Sequence, residues 1–138
     1  MAMSPSKNSL TPKKPSILIV DDEDKICFLI KTFLEQTGAF RNIVTADSVS
    51  VALLKLRNED FDLVIIDYKL PDKDGTYFID IASKSMKYQK MKYLLISGFL
   101  DNRSMVSVIN SGVTNVLVKP FSRDDLVDKV FNLLKLSK

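Results

Sequence analysis

Short apolar runs alternate with longer amphipathic stretches along the chain from about residue 16 onward. Each apolar run is dense in branched or aliphatic side chains, and in each following stretch apolar residues recur every three or four positions. The predicted strands are 17–20, 41–46, 61–67, 92–96 and 113–118. Each run leads into a polar or turn-forming segment. The pattern therefore predicts five consecutive strand–helix units.

One apolar stripe in each amphipathic stretch is expected to face the core. In the first two helices the stripes are Ile26, Leu29, Ile30, Phe33 and Leu34, then Val49, Ala52, Leu53 and Leu56. In the last three they are Phe78, Ile81 and Ala82, then Met105, Val108 and Ile109, then Val127, Val130, Phe131 and Leu134. The third helix is predicted from residue 74 to about residue 88. Gly38 and Gly112 are predicted helix stops, Asp47 or Ser48 is predicted to cap the second helix, and Ser122 with Asp125 resembles a capping box.

Five βα units joined by right-handed crossovers predict a single α/β domain with a parallel sheet and helices on both faces. The doubly wound strand order 2-1-3-4-5 is the commonest arrangement for five such strands. The unbroken apolar run 63–66 fits a central strand that is covered on both faces. Strands one and three are neighbours in this order, so the loops that follow them should share one crevice.

Carboxylates follow both of these neighbouring strands. Asp21 and Asp22 come directly after the first strand, and Asp67 ends the third. Ligands bind at the carboxyl ends of the strands in such sheets, so the three side chains are expected to converge. At an effective dielectric constant of about 20, each close pair of like charges costs on the order of a few kcal/mol. A cation is therefore expected among them, and Mg²⁺ fits because it prefers oxygen ligands.

Other interpretations of these acidic residues remain open. An aspartate at the end of a strand commonly precedes only a turn or a helix cap. Acidic side chains also stabilise the first turn of a helix through its dipole. We expect both uses here, with Glu23 and Asp24 capping the first helix and with Asp21 and Asp22 binding the metal.

Ser97 and Lys119 follow the fourth and fifth strands and are expected to face the same crevice. A lysine in this position can also be a solvated surface residue ahead of the last helix. At the rim of an acidic pocket, however, its ammonium group can neutralise the carboxylates and hold an anion. A metal, a cation and a hydroxyl around one free carboxylate are typical of a phosphoryl acceptor. Asp67 would attack phosphorus while the other groups stabilise the equatorial oxygens.

Composition excludes several other kinds of site. The 138 residues, 46% of them hydrophobic, suit one globular domain with its own core. No apolar stretch approaches the roughly 20 residues of a membrane span, and no signal-peptide core begins the chain, so a cytoplasmic location is expected. With a single cysteine and no histidine, an internal disulfide, a zinc site and a Ser-His-Asp triad are excluded. We expect Cys27 to be a small packing residue.

The excess of basic residues lies in the first 15 positions. Three of the 20 basic residues fall there without any acidic residue, so the remaining 17 basic residues balance the 17 acidic ones. Serines and prolines surround these lysines, which predicts a solvated basic tail over residues 1–15. Three lysines without interleaved aromatic residues are a weak nucleic-acid footprint. We therefore expect no nucleic-acid binding by the folded domain.

Four motifs, in this order and at these βα positions, resemble the receiver domains of two-component response regulators. They are Val20-Asp21-Asp22-Glu23, Ile66-Asp67-Tyr68-Lys69-Leu70-Pro71 with Asp74-Gly75, Ile96-Ser97-Gly98 and Val118-Lys119-Pro120-Phe121. The resemblance spans residues 16–136 and implies the flavodoxin-like receiver fold for residues 16–138. It also implies either a stand-alone receiver or one taken from a longer regulator.

The resemblance implies a role for each matching acidic residue. Asp67 corresponds to the aspartate that accepts a phosphoryl group from the phosphohistidine of a histidine kinase or phosphotransfer protein. Asp21 and Asp22 correspond to the acidic pair that binds Mg²⁺, together with Asp67 and the backbone carbonyl of Lys69. Such a domain catalyses only its own phosphorylation and dephosphorylation, so it is not expected to be an enzyme acting on other substrates.

The remaining motif residues and the partners also follow from the resemblance. Ser97 matches the hydroxyl position and Lys119 the lysine position, often followed by a cis proline, here Pro120. Phosphorylation is expected to switch interactions with an output domain or a target protein. A homodimer through the fourth helix, fifth strand and fifth helix is a further expectation, and no membrane binding is expected.

Three positions bear on how this chain would differ from the receivers that it resembles. Val116 stands where receivers commonly carry the aromatic residue whose inward swing reports phosphorylation. Lys69 and Phe99 stand at the two positions that flank the path of the hydrolytic water. Neither side chain can orient water through a carboxylate or carboxamide, which predicts a long-lived phosphoaspartate. Phe99 can alternatively pack on the fourth helix and touch nothing reactive.

Three other functions were weighed against this interpretation. A flavin-binding electron carrier shares the strand order, but the acidic residues 21–24 would repel its phosphate. A phosphatase or mutase with an aspartyl nucleophile would need a second carboxylate at position 69, which is lysine. A receiver used only as a phosphorylation-independent interaction module is the remaining alternative, and the intact acidic pair and lysine argue against it.

Overall fold

The structure, a computed structural model, describes residues 13–98 and 101–137. Residues 1–12, most of the predicted basic tail, and Phe99 lie outside these ranges. The strands are β1 (Ser16–Val20), β2 (Asn42–Ala46), β3 (Leu63–Asp67), β4 (Lys92–Ser97) and β5 (Val116–Val118). The helices are α1 (Asp24–Glu35), α2 (Val49–Asn58), α3 (Gly75–Ser83), α4 (Asn102–Asn110) and α5 (Arg123–Leu134), with a 3₁₀ turn at Met86–Tyr88. Within the described ranges, no helix is long and apolar enough to cross a bilayer.

The five strands form one parallel sheet in the order β2-β1-β3-β4-β5, which confirms the predicted topology. Every residue of β1 and β3 is buried, because both strands are central and covered on both faces. The strand boundaries differ slightly from the prediction. β2 and β3 begin one and two residues later, β4 includes Ser97, and β5 begins three residues later than expected.

The sheet separates two apolar cores, because successive side chains along a strand point to opposite faces. Helices α1 and α5 cover one face, and α2, α3 and α4 cover the other. The first core includes Ile17, Ile19, Ile30, Leu34, Ile65, Leu94, Leu126 and Val130. The second includes Leu18, Val20, Ala52, Leu56, Val64, Ile66, Phe78 and Val108. The two layers hold the carboxyl edge of the sheet in place.

Several residues that are predicted to begin or end helices do so in the structure. Gly38 and Gly112 adopt positive φ values of 68° and 81° after α1 and α4. Ser48 caps α2 by accepting a hydrogen bond from a backbone N–H in its first turn. Ser122 and Asp125 form the predicted capping box at α5.

The third helix is shorter than predicted. One helix was expected over residues 74–88, whereas α3 ends at Ser83 and a separate 3₁₀ turn follows. The Ser83 hydroxyl donates to a carbonyl three residues earlier, and the Ser85 hydroxyl accepts from a backbone N–H two residues later. Such local bonds compete with helix continuation. Within α3, Ile81 is exposed and Ile79 takes the predicted buried place.

Helix α4 packs less of its surface than predicted. Three buried residues were expected, but of these only Val108 is buried, while Met105 and Ile109 are 43% and 67% exposed. β5, at the edge of the sheet, also has three residues rather than the predicted six. Helix α4 therefore buries a narrow stripe and presents an apolar outer face.

Gly75 allows α3 to begin directly against the end of β3. Its backbone N–H donates to the carbonyl oxygen of Tyr68 at 2.7 Å. A Cβ atom at this position would overlap the carbonyl oxygen of Asp67. The absent side chain therefore fixes how closely α3 approaches the backbone that carries Asp67.

We expect Gly75→Ala to lower the free energy of unfolding by about 1–3 kcal/mol, because the added methyl group must displace the Asp67 backbone. Urea denaturation followed by circular dichroism measures the loss. Gly98→Ala is the control, since a Cβ there meets no atom within 4 Å, and it should change the free energy by less than about 0.5 kcal/mol. Equal losses in the two variants would contradict the close-approach argument.

Candidate functional site

The register of the sheet brings the predicted carboxylates together. Val20 pairs with Ile66, so the next residues, Asp21 and Asp67, lie side by side at the carboxyl edge. Carboxylate oxygens of Asp21, Asp22 and Asp67 all lie within 4.8 Å of one another. Asp21 and Asp67 are 1% and 7% exposed, whereas Asp22 is exposed. The site thus has a buried pair of carboxylates and a third one open to solvent.

Lys119 provides a positive charge to this cluster. Its Nζ lies 3.2 Å from Asp21 Oδ2, 3.3 Å from Asp67 Oδ2 and 3.3 Å from Glu23 Oε1. The Lys119–Pro120 peptide bond is cis, as the resemblance suggested. The lysine is therefore directed into the acidic site and is not a solvated surface residue.

Glu23 contacts Lys119, which the sequence did not predict. It occupies the N-cap position of α1, but its side chain forms no cap hydrogen bond, so the expected capping role is wrong. Its carboxylate instead contacts Lys119 from the solvent side. The sequence did contain a signal for this contact, because the run of acidic residues after β1 is longer than the pair that is predicted to bind the metal.

Ser97 lies at the end of β4, the strand between those that carry Asp67 and lead to Lys119. Asp67 pairs with Ile96 in the register of β3 and β4, and Ser97 pairs with Val118 in β4 and β5. The Ser97 carbonyl accepts a hydrogen bond from the Lys119 backbone N–H at 2.8 Å. Ser97 is 3% exposed. The sheet thus aligns Asp67, Ser97 and Lys119 on one edge.

Burial and charge crowding set the protonation of the cluster. Burial, together with the neighbouring Asp21 charge, raises the pKa of Asp67 from 3.8 to about 6. Burial also raises the pKa of Asp21. For Lys119, burial favours a lower pKa, but the charges of Asp67 and Asp21 outweigh it and raise the pKa above its ordinary value. Lys119 therefore stays protonated, and burial makes the ionised form less favourable for the two carboxylates.

The loop after β3, residues 68–74, folds back on itself, and we call it the acceptor loop after the role predicted for Asp67. Lys69 and Asp74 form an antiparallel bridge across it. The Lys69 backbone N–H lies near the Asp67 carboxylate and partly offsets the rise of its pKa. The Lys69 side chain is exposed, and its charge contributes to lowering the pKa of Asp101, which is lowered mainly by hydrogen bonds from Ser104.

Asp72, in the same loop, was not singled out from the sequence. Its carboxylate accepts hydrogen bonds from the backbone N–H groups of Val49 and Ser50, at 3.0 and 2.9 Å, and from the Ser50 hydroxyl at 2.8 Å. Burial alone would raise the pKa of Asp72, but these bonds together outweigh it and lower the pKa to about 2. An isolated aspartate in a predicted loop carries no sequence signal for such a distant contact.

Cys27 and Val116 both pack inside the domain. Cys27 is buried in α1 and its thiol donates to the Asp21 carbonyl oxygen at 3.3 Å, which confirms its expected packing role. Burial, with a contribution from the Asp21 charge, raises the pKa of this thiol to about 11. Val116 pairs with Leu95 in the sheet and packs, partly buried, against the core beneath α2, α3 and α4.

The raised pKa of Asp67 makes stability depend on pH. Between its unfolded pKa near 3.8 and its folded pKa of about 6, the folded chain binds more protons than the unfolded chain. The contribution of Asp67 to the free energy of unfolding is therefore fully present below about pH 4. It is lost as the pH rises through about 6.

In metal-free buffer at pH 7.5, we expect Asp67→Asn to be more stable than the parent by up to about 3 kcal/mol, because the buried charge is gone. The gain should shrink toward pH 4.5, where the parent carboxyl is largely protonated. Urea denaturation at the two pH values measures it. Asp80→Asn removes an exposed carboxylate on α3 and should show neither effect. A gain for Asp67→Asn that is independent of pH would contradict the assignment.

Comparison with known proteins places this geometry in one family. Residues 17–131 match the family model described as the response regulator receiver domain. The transcriptional regulatory protein KdpE of Staphylococcus aureus is 27% identical over 122 residues, which cover 88% of this chain and 51% of that protein. The chemotaxis protein CheY-3 of Vibrio cholerae is 30% identical over 125 residues, which cover 88% of this chain and 95% of that protein.

The chain thus spans about half the length of the first relative and nearly all of the second. Among solved structures, the CheY-like receiver domain protein of Methanospirillum hungatei superimposes with a TM-score of 0.78 at 32% identity. The match covers 88% of this chain and 94% of that one. The order of the motifs, the sheet topology and these similarities agree, and the chain belongs to the receiver domain family of two-component response regulators.

Proposed function

We propose that this domain is a phosphoacceptor switch in which Asp67 takes a phosphoryl group from the phosphohistidine of a kinase or phosphotransfer protein. The observation that carries the proposal is the contact of one lysine with the buried carboxylates of Asp21 and Asp67, at 3.2 and 3.3 Å. A purely structural ion pair would need one carboxylate, and a second buried one adds repulsion. The pair is therefore better explained as a site built to receive further charged groups.

In the proposed reaction, an Asp67 carboxylate oxygen attacks phosphorus. The new O–P bond forms as the P–N bond to the donor imidazole breaks, and the bonding electron pair leaves with that nitrogen. The product is an acyl phosphate on Asp67. Apart from its own phosphorylation and dephosphorylation, we propose no enzymatic activity for the domain.

The residues present suit a magnesium ion. Mg²⁺ prefers carboxylate and carbonyl oxygens as ligands. One carboxylate oxygen from each of Asp21, Asp22 and Asp67 lies within 4.8 Å of the other two, so the three side chains are grouped closely enough to hold one ion together. We propose that these residues and the Lys69 backbone carbonyl hold the ion. When bound, Mg²⁺ supplies charge stabilisation to the transferring phosphoryl group.

Lys119 and Ser97 are proposed to receive the phosphoryl oxygens. Lys119 is shared among three carboxylates in the unphosphorylated protein. A phosphoryl group on Asp67 adds negative charge within reach of the same ammonium group, which can exchange a carboxylate contact for a stronger phosphate contact. Ser97, on the strand between them, can donate its hydroxyl hydrogen to another oxygen.

The outer face of α4 and β5 is proposed to carry the signal to an output domain, a target protein or a second receiver. The exposed apolar residues on this face are Met105, Val106, Ile109 and Val118. Apolar surface of this kind favours association with a partner. Val116 has no ring to swing inward, so we propose that movement of the loosely packed α4 replaces the aromatic switch.

After incubation with acetyl phosphate and Mg²⁺, we expect the intact mass of the parent to increase by one phosphoryl group. Asp67→Asn should show no increase, because a carboxamide cannot form the acyl phosphate, and Asp80→Asn should label like the parent. Retained labelling in Asp67→Asn would reject the acceptor assignment. A folded parent that never labels would favour a phosphorylation-independent interaction module.

The lifetime of the acyl phosphate is expected to be long. Lys69 lies two residues after Asp67 and offers only hydrogen-bond donors, so it cannot orient an attacking water as a carboxamide can. Phe99, outside the described residues, is proposed from the sequence to shield the same approach. We expect Lys69→Asn combined with Phe99→Glu to speed decay several-fold.

Intact mass recorded over time, after removal of the donor, gives the decay rate in Mg²⁺. The control is Lys73→Asn, which alters another loop lysine whose ammonium group lies 5.0 Å from the Tyr77 ring centre. Its decay rate should match the parent's. Equal decay in the double variant and the parent would reject the shielding argument.

A further inference from the structure

We infer that Asp72 is a positioning residue that ties the acceptor loop to the first turn of α2 and thereby holds the Lys69 carbonyl beside Asp67. This inference rests on the proposed function, since it gives the Lys69 carbonyl its use as a magnesium ligand. Asp72 itself touches neither Asp67 nor a reacting group in the contacts described above. Its effect would be exerted through the backbone of the loop.

The contacts of Asp72 are unusually complete for an exposed side chain. One carboxylate oxygen accepts from the N–H of Val49 at 3.0 Å and from the N–H of Lys73 at 3.1 Å. The other accepts from the N–H of Ser50 at 2.9 Å and from its hydroxyl at 2.8 Å. Charged hydrogen bonds at a helix N-terminus are among the stronger ones available at a surface. Three of these bonds tie the loop to the first turn of α2.

The loop is too short to absorb a movement of Asp72. The bridge between Lys69 and Asp74 leaves only residues 70–73 between its two sides. Gly75 then fixes the far end, because its N–H donates to the Tyr68 carbonyl oxygen and a Cβ there would overlap the Asp67 carbonyl oxygen. A displacement of Asp72 is therefore expected to reach Lys69, whose backbone lies near enough to Asp67 to influence the pKa of its carboxyl group.

A merely structural role for Asp72 would be to cap α2. Two residues accept hydrogen bonds from the first turn of α2, so the capping role and the positioning role of Asp72 can be tested separately. Asp72 accepts from the N–H groups of Val49 and Ser50, whereas Ser48 accepts from Val51 through its hydroxyl at 3.2 Å and from Ala52 through its carbonyl at 3.0 Å. Ser48→Ala therefore weakens the same helix end without touching the acceptor loop.

The test compares Asp72→Ala, Asp72→Asn and Ser48→Ala with the parent. Urea denaturation gives the stability of each, and isothermal titration calorimetry gives the affinity for Mg²⁺ without any phosphodonor. Both alanine variants should lose a similar amount of stability, seen as similar falls in the urea midpoint, because each removes a cap from the same helix end. Asp72→Ala should also bind Mg²⁺ about tenfold more weakly, as is typical when a residue that orients a metal ligand is removed. Ser48→Ala should bind Mg²⁺ like the parent.

The rate of phosphorylation by acetyl phosphate provides a second measurement. Asp72→Ala should react slowly at low Mg²⁺ and approach the parent rate at saturating Mg²⁺, because only the placement of a ligand is lost. Asp72→Asn keeps one acceptor oxygen and should lie between the parent and Asp72→Ala in both measurements.

Two outcomes would overturn the inference while leaving the proposed function intact. One is a parent-like Mg²⁺ affinity in Asp72→Ala, and the other is an equal loss of affinity in Asp72→Ala and Ser48→Ala. Either would reduce Asp72 to a helix cap. A parent that neither binds Mg²⁺ nor gains a phosphoryl group would overturn the proposed function and this inference together.

Discussion

The repulsion between Asp21 and Asp67, relieved by Lys119, is the interaction on which the rest of the structure depends. The two carboxylates meet because β1 and β3 are neighbours, and both are buried because the central strands are covered by helices on each face. Lys119 reaches them only because β5 closes the same edge of the sheet. The fold therefore holds together charges that would otherwise repel one another, and this repulsion lowers the free energy of unfolding. A ligand that neutralises the charges raises the free energy of unfolding when it binds.

Most of the fold could be predicted from local patterns. The unbroken apolar runs at β1 and β3 and the glycines after α1 and α4 encode their structure in adjacent residues. The outer face of α4 could not be predicted, because Met105 and Ile109 have the spacing of buried residues, and periodicity does not show which apolar positions the neighbouring elements cover. Likewise, the apolar spacing predicts a longer third helix, but α3 ends early because two serines form local hydrogen bonds that compete with helix continuation.

The site followed from the sequence where residues sit at strand ends, since topology alone brings Asp21, Asp67, Ser97 and Lys119 to one edge. Contacts that depend on loop conformation did not follow. Glu23 was expected to cap α1 but lies against Lys119, and Asp72 bonds a helix 22 and 23 residues earlier in the chain. Periodicity carries no information about either contact, because both are set by how two loops fold in three dimensions.

The buried thiol of Cys27 has a practical consequence for studying the domain. With a pKa of about 11, only about one thiol in ten thousand is ionised at pH 7, and the thiolate is the species that reacts with maleimides and disulfides. A cysteine introduced at an exposed position on α4, with an ordinary pKa near 8.5, would be about 300 times more ionised at pH 7 than the native one. A spin label or fluorophore could therefore be attached there selectively, with Cys27 left in place and the hydrogen bond that its thiol donates to Asp21 undisturbed.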